Sequence, residues 1–288
     1  MGFVTDVLLP LSLAFIMFSM GLALVIDDFK RVVTAPKAFA VGALAQMVLL
    51  PLVGFSIVSV WHVEPAIAVG VVLIAACPSG VTSNLLTHLA RGDTALAISL
   101  TAVISVASVV TVPVIVNLAL AQFLGVTSAV ELPIARTIVS IFLITTVPVA
   151  IGMAVKHWRG GFADRFEPIA RRVATILFVV IVLAAIYQER ANIVRYFAVA
   201  GPITLALNVV MMAIGFYLAR LFMLNRAQSI AISIETGIQN ATLAIFVATS
   251  LLRSTEIAVP GAIYGLLMFV TAGVFVVMVR RDRPTAAT

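Results

Sequence analysis

The chain has 288 residues, of which 62% are hydrophobic and only 10% charged, whereas a water-soluble domain carries about 25% charged residues. That balance excludes a soluble globular domain and leaves an all-α integral membrane protein. The formal net charge of +6 does not call for a nucleic-acid partner, because the basic residues fall between apolar stretches and sort by side.

Apolar runs of bilayer-crossing length occupy roughly residues 8–26, 38–60, 66–90, 94–120, 137–155, 173–188, 197–219, 228–252 and 257–279, which predicts nine transmembrane helices. They are too long and too evenly apolar for barrel strands, which alternate over about 10 residues. The first run follows MGFVTD, which lacks a basic n-region, and no small-residue cleavage site precedes polar sequence. It is expected to stay as span one. Span two carries Gln46 and Pro51, and Trp61 with His62 marks its end as an interface anchor; Trp158 beside His157 does the same for span five.

Span three runs IAVGVVLIAAC into Pro78, Ser79 and Gly80. Proline removes a backbone donor, and glycine with serine favours a turn, so unwinding is predicted near residues 78–82. In span eight Gly237 follows Glu235 and Thr236 and precedes Gln239 and Asn240, which predicts a second break at the same depth. Free N–H and C=O groups inside a bilayer are tolerable only where they line a cavity or bind a ligand. Pro51, Pro113, Pro148 and Pro202 also lie within spans, without comparable polar clusters, and are read as ordinary kinks. His88 is read as a solvated residue near a loop, and the single Cys77, which rules out an internal disulfide, as a packing residue.

The charged stretch KHWRGGFADRFEPIARR, residues 156–172, is read as the longest charged connection, with five spans before it and four after. AQMVLLPLVGF in span two resembles ALNVVMMAIGF in span seven, and GVTSN from Gly80 resembles GIQN from Gly237. Each pair is offset by five spans, an odd number, so the copies run in opposite senses, as in transporters built from inverted repeats. Repeat one covers about residues 1–125 and repeat two about residues 134–282 of a single transmembrane domain, residues 1–288. With alternating spans, 14 of the 18 basic residues share one face, leaving Arg136, Arg190, Arg195 and Arg253 opposite. The carboxyl end is then cytoplasmic and the amino end external, in a plasma membrane of the bacterial inner-membrane kind.

Glu235 is the one acidic residue with long apolar flanks on both sides, and no Lys or Arg lies within eight residues of it. A charge near a bilayer centre costs about 3 kcal/mol on insertion scales, so such a residue marks a functional site. Its neighbours Ser233, Thr236, Gln239, Asn240 and Thr242 offer the oxygen donors that suit a small hard cation. A protonated, hydrogen-bonded Glu235 is the structural alternative. Gln46 could bond between helices, and Ser83 and Thr101 could bond back to their own helix carbonyls. An intramembrane aspartyl or zinc protease is excluded, since neither paired Asp residues nor a His-Glu-x-x-His motif is present; no phosphate-binding glycine loop exists either.

CPSGVTSNLLTHLARGDTALAISLTAV and SIETGIQNATLA together resemble the bile acid sodium symporter family, over nearly the whole chain and in its nine-helix form. The resemblance implies a core domain of spans two to four and seven to nine, a panel domain of spans one, five and six, and broken helices three and eight crossing at their breaks. It implies a first sodium site at Ser83, Asn84, Thr101 and Glu235. A second site falls on Gln46, Glu235, Thr236, Ile238 and Gln239, Ile238 through its carbonyl. Substrate would lie against Val81, Thr82 and Asn240, with Met268 on the same cleft. The implied activity is symport of an organic anion, such as a bile acid, a pantoate-like acid or a 2-oxo acid, by alternating access, with sodium as coupling ion and no other cofactor. A proton-coupled carrier or exporter using Glu235 is the alternative. Departures from bacterial relatives are Ala97 where a Ser can supply a ligand, Val81 where a Thr occurs, and Met268 and Phe269 where His and Asn occur. The cleft is therefore expected to be more apolar than theirs.

The charge asymmetry is testable directly. A reporter active only in the cytoplasm should give signal when fused to the carboxyl end and none at the amino end; signal at both ends overturns the odd span count.

Overall fold

Inside a bilayer a backbone must satisfy its own polar groups, and the helix does so within one segment. The computed structural model describes residues 4–125 and 133–281; Arg283, counted above on the basic face, lies outside them. Twelve helices account for nearly all described residues: α1 (Asp6–Ala23), α2 (Arg31–Thr34), α3 (Pro36–Trp61), α4 (Pro65–Ala76), α5 (Thr82–Leu89), α6 (Thr94–Phe123), α7 (Ile134–Trp158), α8 (Gly160–Gln188), α9 (Ile193–Leu221), α10 (Arg226–Gly237), α11 (Ala241–Leu251) and α12 (Thr255–Arg281). Seven of these, α1, α3, α6, α7, α8, α9 and α12, are long and apolar enough to cross a membrane. The apolar runs at residues 66–90 and 228–252 are each split into two short helices, α4 with α5 and α10 with α11.

Prolines leave their mark inside the long helices. A proline ring clashes with the carbonyl four residues back and supplies no N–H. Pro51 and Pro148 each follow a π turn, Ala45–Leu49 and Phe142–Thr146, which absorbs that clash with an extra residue. Gln46 sits in the first of these turns. Pro113 and Pro202 stay within continuous α-helix.

The charged stretch at residues 156–172 is not a loop: α8 begins at Gly160 and runs through Pro168. Its first turns are amphipathic. Ala163 and Ala170 are buried with Leu22 beneath Phe15, Phe18 and Phe166, and Arg171 pairs with Glu167 one turn away. Burial of that apolar stripe outweighs the helix-breaking residues Gly160, Gly161 and Pro168.

Small residues set the tightest contacts. Gly21 of α1 faces the Val149 carbonyl and Gly152 of α7 faces the Phe18 carbonyl, so closely that a Cβ at either glycine would collide with backbone. α9 and α10 are tied by hydroxyls as well as by packing, Ser233 donating to the Met212 carbonyl at 2.7 Å and Thr236 to the Met211 carbonyl at 3.1 Å. Among the described residues four non-glycines adopt left-handed backbone, His62, Arg91, Met223 and Arg253, each just past the end of a helix, α3, α5, α9 and α11 respectively.

Gly152→Val should lower the melting temperature by several degrees, because overpacking against backbone costs about 1–3 kcal/mol. Gly273→Ala, in open space within α12, should hold or raise it, since alanine is favoured over glycine in a helix by about 1 kcal/mol. Equal effects in a thermal melt would refute the α1–α7 contact.

Candidate ion and substrate site

Residues 77–81 and 238–240, the two unwound segments, meet each other. Gly80 N–H donates to the Ile238 carbonyl at 3.0 Å and Asn240 N–H to the Pro78 carbonyl at 2.8 Å, forming an antiparallel bridge with Ser79 opposite Gln239. Each break thus satisfies groups that the other exposes. The Asn240 side chain caps α11 by accepting the Leu243 N–H at 3.0 Å.

Glu235, 1% exposed, stands on the last turn of α10 behind this bridge. Its Oε2 accepts the Ser79 hydroxyl at 2.6 Å and the Thr101 hydroxyl of α6 at 2.8 Å. Ser83 Oγ lies 3.5 Å from Thr101 Oγ1. Oε1 is buried with no hydrogen-bond partner among the described residues, and none of the ion pairs there includes Glu235. Gln46 Oε1 and Nε2, Asn84 Oδ1 and Gln239 Oε1 are likewise buried and unpartnered. An unsatisfied buried polar group costs about 1–3 kcal/mol, so each of these calls for an ion or water to bind it.

Other residues singled out in the sequence face differently. Thr236 spends its hydroxyl on the Met211, Ile232 and Ser233 carbonyls. Its own carbonyl accepts the Gln239 amide N–H at 3.0 Å, which also lies 3.2 Å from the Glu235 carbonyl. The Ile238 carbonyl serves the bridge. The π turn that contains Gln46 packs against α10, and Gln46 is buried. Ala97 is fully buried, and its carbonyl accepts from Thr101 at 3.0 Å. Ser99 turns away, donating to the Asp28 and Ala95 carbonyls.

A cavity of about 630 Å³ lies in front of the crossing, between α1 and α8 on one side and α5, α6, α11 and α12 on the other. Val81, Thr82, Asn84 and Asn240 line it beside the bridge, and Met20, Ile98, Phe178 and Phe269 supply apolar wall. Gly265 and Phe269 face the cavity from α12, whereas Met268, between them, is buried and absent from its lining.

Among the residues that the sequence reading assigned another role, Ser79, His88 and Arg171 contact Glu235 or line the cavity. Ser79, read as a helix breaker, is the shortest contact to Glu235; its pairing opposite Gln239 is the signal that would have found it. His88 and Arg171, read as solvated and topological, both line the cavity.

The profile of the Sodium Bile acid symporter family matches residues 10–196, well over half of the chain. The chain belongs to that family. It is therefore a multi-pass sodium-dependent cotransporter and not an enzyme. A Bacillus subtilis relative, the uncharacterized sodium-dependent transporter YocS, is 31% identical over 267 residues, covering 90% of this chain and 78% of its own. A probable chloroplastic sodium/metabolite cotransporter, BASS2 of Oryza sativa subsp. japonica, is 27% identical over 257 residues, 89% of this chain and 60% of its own. The human ileal sodium/bile acid cotransporter matches at 37% over 98 residues, 34% of this chain and 28% of its own.

Ser79→Ala should raise the sodium concentration for half-maximal stabilisation about tenfold, the scale of one hydrogen bond to a charged group. Ala97→Ser, which adds an oxygen one turn from Thr101, should lower it. Titrations of thermal stability with sodium, at ionic strength held by potassium, read both; a Ser79→Ala titration identical to wild type removes Glu235 Oε2 from the ion site.

Proposed function

We propose that this member of the family couples sodium to the movement of an organic anion by alternating access, through the cavity in front of the paired breaks. The observation that carries this reading is the buried, unpartnered Glu235 Oε1 together with the buried, unpartnered side-chain oxygens of Gln46, Asn84 and Gln239. Oxygen-rich, with one carboxylate and no basic partner, that set suits alkali cations. The first sodium site comprises Ser83, Asn84, Thr101 and Glu235, joined by Ser79. The second comprises Gln46, Glu235, the Thr236 and Ile238 carbonyls and Gln239.

The anion would bind against Val81, Thr82 and Asn240, where α5 and α11 begin and the positive ends of their dipoles converge. Its body would lie along the apolar wall, which favours an acid with a sizeable hydrocarbon part; bile acids, pantoate-like acids and 2-oxo acids bracket the range. Phe269 replaces Met268 as the contact from α12. Coupling follows from charge: sodium neutralises Glu235 and ties down the unwound backbone, so a half-loaded core is disfavoured in transit.

Each split pair, α4 with α5 and α10 with α11, counts as one span in this reading, for nine in all. The left-handed helix ends support an inverted repeat. His62 and Met223 stand 161 residues apart and Arg91 and Arg253 162, matching the offset of AQMVLLPLVGF and ALNVVMMAIGF. α1, α7 and α8 form the panel, consistent with the Gly21–Gly152 contact. The cavity then opens toward the face of His88 and Arg171, the cytoplasmic one by the charge rule, in a bacterial inner membrane with the amino end external.

In purified protein, sodium but not potassium should raise the melting temperature. Glu235→Ala should abolish that rise, and Glu235→Gln, which keeps an oxygen and loses the charge, should weaken sodium binding while retaining the fold. Uptake into proteoliposomes that follows a proton gradient and ignores sodium would instead favour Glu235 as a proton site.

A further inference from the structure

A half-helix that ends inside a membrane leaves its last four carbonyls without intrahelical partners, and α10 ends in that way at Gly237. Three of the four are accounted for locally: the Ile234 carbonyl accepts the Ile238 N–H at 2.9 Å, and the Glu235 and Thr236 carbonyls accept the Gln239 amide at 3.2 and 3.0 Å. The fourth is treated differently. The Gly237 carbonyl accepts Asn208 Nδ2 from α9 at 2.6 Å and the Tyr264 hydroxyl from α12 at 2.9 Å. Asn208 Nδ2 also donates to the Tyr264 oxygen at 3.1 Å, closing a triangle in which every N–H and O–H has an acceptor.

Both side chains are fully buried, and both come from helices outside the broken pair. The Asn208 amide is oriented at a cost, because its oxygen is buried without a partner. Only the NH₂ end can face a carbonyl, so the geometry of the Gly237 carbonyl has decided which way the amide points. A residue held for packing alone would not need two polar donors on one acceptor in a bilayer interior.

We infer that Asn208 and Tyr264 are positioning residues for the second sodium site, fixing the Gly237–Ile238 peptide so that the Ile238 and Gln239 oxygens stand where the ion is bound. The inference rests on the sodium reading above. Two lone pairs of the Gly237 carbonyl are occupied, so this carbonyl itself is withheld from the ion. The peptide next to it is the last one before the bridge to Gly80, and its plane sets the direction of the chain into Ile238. Met212 packs against the Gly237 Cα so closely that a side chain there would collide with it, which leaves the pinned peptide no room to drift toward α9. Ion binding is thereby referenced to α9 and α12, two of the long helices, and not only to the crossing.

The test is a thermodynamic cycle read by sodium titration of thermal stability in the purified protein. Tyr264→Phe keeps the ring packing and removes one donor; Asn208→Ala removes the other. Each should raise the half-saturating sodium concentration about five- to tenfold, one hydrogen bond's worth, and leave the melting temperature in potassium within a few degrees of wild type. In a Gln239→Ala background the further rise caused by Asn208→Ala should vanish, because both act at one site; in a Thr101→Ala background it should persist. Additive effects in both backgrounds, or an unmoved sodium midpoint in Tyr264→Phe, overturn the assignment. Should Asn208→Ala fail to fold, Tyr264→Phe in the same two backgrounds decides. A wild-type protein that sodium does not stabilise overturns the symport reading and this one with it, whereas a normal wild-type response beside unmoved variants overturns this one alone.

Discussion

The bridge between the two unwound segments is the interaction on which everything else depends. An unpaired amide in an apolar medium costs roughly 4–8 kcal/mol against water, and each break opens several such groups. Gly80, Pro78, Ile238 and Asn240 settle them mutually, by two hydrogen bonds of 3.0 and 2.8 Å. The same contact carries Ser79 onto Glu235 and leaves α5 and α11 starting beside one cavity. Pairing, charge placement and dipole convergence are therefore one event.

Around that bridge the surroundings differ, packed helices on one side and the cavity on the other. α10 is held to α9 by hydroxyl-to-carbonyl bonds from Ser233 and Thr236 and by Gly215, whose missing side chain admits Thr236. α1 and α8 border the cavity on its other side, and α8 also packs directly on α12, as where Phe178 meets Phe269.

The all-α membrane class, the seven long apolar helices and both breaks were legible because they rest on composition and on the backbone chemistry of Pro78, Gly80 and Gly237. Glu235 was legible because a lone carboxylate among apolar neighbours has so few explanations. The start of α8 was not, since Gly160, Gly161 and Pro168 argue against a helix locally and only burial against Leu22 and the phenylalanines overrides them. Ser79 was hidden for another reason: in an unwound segment neither the helical nor the strand period says where a side chain points. Met268 and Phe269 differ by one residue, about 100° around a helix, and that phase follows from packing, not from position in a run of apolar letters. Asn208 and Tyr264 are single polar residues in long apolar spans, with no pattern to distinguish them until Gly237 is seen between them.

The pairing of Ser79 with Gln239 also sets an order in time. Some 160 residues separate the partners, and a ribosome adding about 5–20 residues per second takes on the order of 8–30 s to cover them. During that interval the first break lies in or beside the bilayer without the strand that completes it. The first half of the chain must therefore wait, sheltered by water, by the insertion machinery or by its own helices α3 and α6, until the second half arrives to close the crossing. The crossing in front of Glu235 is therefore completed late, only once α10 and α11 have been made.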